Sequence, residues 1–127
     1  MLRLTLTLSA IYLAAIGLGL LIVPQQFGVG AVPADASPQL IALMRLLGGP
    51  FLGIAALNWL SRHFQPSLPL RAILIANFIG FATVAANDVW GVASGEAREI
   101  ARYFLVVHLA FALAFAKLLA DLRRATR

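Results

Sequence analysis

Three ionisable side chains, Arg45, Asp88 and His108, lie within or at the edge of long apolar runs. Such groups are expensive in a hydrocarbon setting unless they face one another or a polar cavity. Together they would supply a fixed positive charge, a carboxylate acceptor and an imidazole ring able to carry a proton. Asn87 is next to Asp88 and Thr83 about one turn away, while Phe104 and Phe111 share the helical face of His108. Arg45, Asp88, His108, Asn87, Thr83, Phe104 and Phe111 therefore form a candidate ligand-binding constellation, suited to a flat apolar molecule lying against the rings. Plainer readings stand beside it. Arg45 and Asp88 suit a structural ion pair, Arg45 can also snorkel to the membrane surface, and His108 suits a neutral core histidine.

Several other chemistries are excluded by residue type and position. The chain has no cysteine, so disulfides and thiolate redox or metal sites are absent. Bis-histidine haem ligation needs both rings at one depth, whereas His63 and His108 belong to opposite ends of the spans described below. No layer gathers enough ligands for zinc, and no paired carboxylates lie within the apolar runs for acid–base work. The glycines at 28 and 30 do not follow a strand and read as loop flexibility, not a phosphate loop. The serines, mostly in loops, cannot build a nucleophilic triad. No catalytic residue, metal or cofactor is expected.

The elements that must hold these residues follow from composition. Of 127 residues, 61% are hydrophobic and 12% charged, against about 25% charged in an ordinary soluble domain. So small a chain has too little interior to hide that much apolar surface from water. Four stretches can each supply the roughly 20 residues that a helix needs to cross a bilayer. The predicted helices are 4–23, 38–61, 69–90 and 97–121, in one integral membrane domain over 1–127. The fold class expected is all-α, a four-helix transmembrane bundle. Ser37 and Pro38 suit an N-cap and first helical position. The first connection, Pro24 to Gln39, is rich in glycine and proline and reads as a non-helical cap, and Ser94 to Arg102 reads as a polar helical lead-in to the last span.

Charge orients the spans. Arg3, Arg62, Arg71, Lys117, Arg123, Arg124 and Arg127 fall on the side of the termini, and Arg45, Arg98 and Arg102 on the other. The positive-inside rule then predicts both termini in the cytoplasm. The net charge of +5 sits at the edges of apolar runs, which makes it a topology signal and excludes a nucleic-acid partner. Glycines on the second span, Gly48, Gly49 and Gly53, are spaced for close helix packing. Tyr12 and Asn77 lie at similar depth and suit an interhelical hydrogen bond.

The run Met44-Arg45-Leu46-Leu47-Gly48-Gly49, continuing to Gly53 and Trp59, with Arg62 and the Phe/His/Ala-rich last span, resembles small bacterial four-span membrane proteins that are loosely DoxX-like. That resemblance implies a four-helix bundle in the bacterial inner (cytoplasmic) membrane. Some DoxX relatives are associated with quinone-linked sulfur oxidation or redox protection, and the lack of cysteine argues against a thiol role here. No catalytic residue carries over. The function expected is a non-catalytic accessory or oligomer-forming membrane subunit, whose partners are the lipid bilayer and a second copy or a larger membrane complex. The alternatives are a binder of a quinone or lipid near Arg45, Asp88 and His108, and a small transporter or membrane enzyme with His108 as proton carrier.

Overall fold

A computed structural model describes residues 1–125. Its helices are α1 (Leu2–Ile22), a single turn α2 (Pro24–Phe27), α3 (Pro38–Ser61), α4 (Leu68–Ser94) and α5 (Ala101–Ala125). No strand occurs among the described residues, and α1, α3, α4 and α5 are each long and apolar enough to cross a membrane. Arg127, counted above with the basic residues of the terminal side, lies outside the described residues.

The helix ends carry the capping chemistry expected of their residue types. Ser37 Oγ accepts from Leu40 N–H at 3.2 Å with Pro38 in the first turn, and Ser67 Oγ accepts from Leu70 N–H at 3.3 Å with Pro69 in the same role. Two expectations need correction. The 24–39 connection is not wholly irregular, because Pro24 suits a first helical position and starts α2. The polar lead-in to α5 is not helical: α4 runs on to Ser94, Gly95 closes it in a left-handed conformation (φ 77°), and α5 begins at Ala101. The glycine after Ser94 is the physical reason, since it adopts positive φ without steric penalty.

The chain divides into two compact units, Leu6–Arg62, and Met1–Thr5 together with the chain from His63 onward. Within the first unit, α1 and α3 run antiparallel and meet at bare backbone. A Cβ placed on Gly48 would lie 2.7 Å from the Gly17 carbonyl oxygen, and one on Gly17 would lie 2.9 Å from that of Gly48. Nearer the other end of the pair, buried Asn58 donates from Nδ2 to Ser9 Oγ at 3.0 Å, and Ser9 Oγ donates to the Leu6 carbonyl at 3.1 Å. Phe27 of α2 folds back onto α1 where Gly19 leaves room for its ring. The second unit is dominated by the antiparallel α4–α5 hairpin, whose buried residues include Leu70, Leu74, Phe81, Ala85, Ala112, Phe115 and Leu118, with Phe81 stacked on Phe115 across it.

Candidate functional site

The α4–α5 hairpin brings Asp88 and His108 together. His108 Nδ1 lies 2.5 Å from Asp88 Oδ2, with side-chain exposures of 12% and 15%. An ionised carboxylate can only accept, so against the Asp88 carboxylate the imidazole donates through Nδ1. Fixing one ring nitrogen in this way sets both tautomer and ring orientation.

Aromatic rings frame the imidazole. Phe104 lies nearly parallel to it at 6.2 Å between centroids, and Phe81 approaches at the same distance with a 41° tilt. Phe81 also stacks on Phe111 at 4.7 Å and on Phe115 at 5.8 Å. These offset ring contacts lie within the range that favours aromatic pairs. Phe81 was missed in the reading of the sequence. It lies seven residues, two helical turns, before Asp88, so that spacing alone puts it on the same face.

Thr83 and Asn87 are on α4 with exposed side chains, turned off the α5-facing stripe that holds Phe81, Ala85 and Asp88. Arg45 belongs to the other compact unit and is exposed on α3. Asn77 is buried and donates from Nδ2 to the Ile73 carbonyl of its own helix at 2.9 Å, and Tyr12 is half-buried on α1. The Ser9–Asn58 bond was also missed. Its signal was an amide in the apolar run Ala55–Leu60 and a hydroxyl in the first span, both easily passed over as small polar interruptions. Of the three packing glycines, Gly48 is used inside the chain, while a Cβ on Gly49 or Gly53 would meet nothing within 4 Å. A shallow hollow at the start of α5 is lined by Glu99, Ile100, Arg102 and Tyr103, apart from the Asp88–His108 pair.

The hairpin also supplies its own ruler. The pairs 88–108 and 81–115 share one register, which sets Arg71 level with the last turn of α5, next to Arg123 and Arg124. From His108 to Arg124 is 16 residues, or about 24 Å along the axis. A hydrocarbon core is about 30 Å thick. Were those arginines at one head-group layer of a bilayer crossed along its normal, the Asp88–His108 pair would lie a few ångström inside the opposite boundary. Exposed Trp90 and Tyr103 flank it there, as aromatic side chains do at membrane interfaces.

Four helices with this length, composition and interfacial dressing make the chain a multi-pass, all-helical membrane protein. No family model, curated protein or solved structure matches it. Among the described residues no group of three or more His, Cys, Asp or Glu could hold a metal ion.

Proposed function

We propose that this chain is a small, non-catalytic subunit of the bacterial inner membrane, with both termini in the cytoplasm, that associates laterally through α3. The observation that carries this reading is the unused face of that helix. Ala42, Leu46, Gly49, Gly53, Ala56 and Leu60 are all exposed and spaced four and three residues apart in alternation, the repeat of a helix-packing seam. Lipid does not require small residues on a helix, whereas close approach of a second helix does. Only 11% of the most apolar stretch of α3 is buried, against 39% for α1. Arg45 borders the seam and is exposed, which suits a helix completed by a neighbour. The loose DoxX-like resemblance, carried by Met44–Gly49, agrees with the assigned membrane. Cross-linking in native membranes, followed by sizing in mild detergent, tests the reading. Unmodified protein is expected as a defined oligomer or a stoichiometric complex, and Gly49→Leu/Gly53→Leu as a folded monomer. A clean monomer from unmodified protein in both measurements overturns it.

The Asp88–His108 pair favours a second reading, in which the hairpin binds a hydrophobic small molecule through an oriented imidazole. Its support is the 2.5 Å contact inside a frame of phenylalanines. Such a site presents an oriented imidazole while the rings lie against a flat ligand.

A further inference from the structure

The residues between α4 and α5, 95–100, do not arch away from the hairpin but fold back onto it. Gly95 turns the chain at φ 77°, and Ala97 then donates its N–H to the Gly91 carbonyl, in the last turn of α4, at 2.9 Å. Gly91 leaves the room for this contact, since a Cβ there would lie 3.1 Å from the Ala97 Cβ, closer than such carbons ordinarily come. On the α5 side, the Arg98 guanidinium lies over the Phe104 ring, 5.8 Å from its centroid, within range of a cation–ring attraction. The segment is therefore fastened to both helices, once through backbone and once through a side chain. All of these residues belong to one compact unit.

Both fastenings lie about one turn from the Asp88–His108 contact, on its loop side. Gly91 is three residues past Asp88 on α4, and Phe104 is four residues before His108 on α5, each about 4.5–6 Å nearer the loop. Phe104 in turn lies nearly parallel to the imidazole at 6.2 Å. Guanidinium, phenyl ring and imidazole thus follow one another down the hairpin, and the Asp88 carboxylate ends the series. Ala97 and Arg98 are half-buried, whereas Glu96, Glu99 and Arg102 around them are exposed. That is the pattern of a segment with one face laid on the helices and the other turned outward.

We infer that residues 95–100 form a fitted cap that closes the loop end of the Asp88–His108 site, with Ala97 seated on Gly91 and Arg98 holding Phe104 over the imidazole. Arg98 is a positioning residue, acting on the histidine through the ring between them. Water reaches a covered group through local openings of its cover, and a cation–ring contact is worth about twofold to fivefold in such an opening equilibrium. One consequence rests on the small-molecule reading: the cap selects the phase from which a ligand comes. A water-borne molecule has no way in through the loop end, so the site takes a lipid-soluble one.

Access of heavy water to His108 tests the cap. Hydrogen–deuterium exchange at the imidazole C2 position is read by mass spectrometry at one pH, on the full chain in mild detergent, with exposed His63 as internal reference. Arg98→Gln is expected to speed exchange at His108 about twofold to fivefold and to leave His63 unchanged. Arg98→Lys, which keeps a cation over the ring, should restore most of the protection, and Arg102→Gln should change nothing. Gly91→Val should speed exchange at least as much as Arg98→Gln, because the added carbons push Ala97 off its seat. Unmodified protein supplies a measurement that needs no variant: the Ala97 amide should exchange more slowly than that of Glu96. Unchanged His108 exchange in both Arg98→Gln and Gly91→Val overturns the cap, as does an Arg102→Gln effect equal to that of Arg98→Gln, or an Ala97 amide as fast as that of Glu96. Each of these is read without a ligand, so the cap and the small-molecule reading, which is tested by retention of a co-purified molecule, stand or fall separately.

Discussion

The two compact units solve the same problem, joining two membrane-length helices, by opposite means. In the Leu6–Arg62 unit, α1 and α3 meet at backbone, with Gly17 against Gly48, and add one short polar bond between Ser9 and Asn58. In the hairpin, α4 and α5 are joined by large rings, Phe81 against Phe111 and Phe115, and by the Asp88–His108 hydrogen bond. In lipid the hydrophobic effect gives neighbouring helices no preference for each other over acyl chains, so association depends on close packing and polar contacts. Removing side chains lets backbones approach, and adding rings enlarges the contact area. The first solution tolerates no growth at the contact, and the second tolerates no loss.

The difference can be broken most strongly at the Asp88–His108 contact. Asp88→Ala should destabilise the hairpin by roughly 3 kcal/mol, because it strands the imidazole among phenylalanines. Reversible unfolding in mixed micelles would measure it. If the pair is structural only, Asp88→Ala/His108→Phe should recover most of the loss. If the small-molecule reading holds, the recovered double variant still fails to retain a co-purified lipid-phase ligand that unmodified protein keeps.

An intermediate effect is expected at the glycine contact. Gly48→Val puts new carbons where 2.7 Å separates a Cβ from a carbonyl oxygen, and should cost about 1–3 kcal/mol by overpacking. Gly49→Val, one residue away in open space, should leave the isolated chain's stability nearly unchanged. Equal losses from the two would dissolve the contrast between the buried and the open glycine. The smallest effect belongs to the polar bond in the same unit. Asn58→Leu should lower stability by about 0.6 kcal/mol, the average for such bonds in membrane double-mutant cycles, if the larger side chain fits. A double-mutant cycle with Ser9→Ala isolates that coupling.

Much of the fold was legible because its signals are local. Length and hydropathy marked four spans, and the 38–61 helix is reproduced with its Ser37 cap and Pro38 start. Boundaries slipped where one glycine decided them: Gly95 ends α4 later than Trp90 suggested and leaves 96–100 outside a helix. The candidate site was only partly legible. Asp88 and His108 were chosen from their cost in lipid, and Phe104 from its helical phase, and these three stand together. Thr83 and Asn87 were drawn in by nearness along the chain, which does not fix a helical face. Phe81 had the right spacing but looked like any other apolar residue.

By itself, the sequence determined the solvent, the number of spans and the basic character of one end, since each is a sum over residues that no folding detail can reverse. Tertiary structure alone decided pairings. Which of the glycines at 48, 49 and 53 would touch another backbone, which amide would find a hydroxyl, and which rings would frame the histidine all depend on the register between antiparallel helices. A shift of one residue turns a helical side chain by about 100°, and apolar periodicity is nearly silent about register when every face of a helix is apolar.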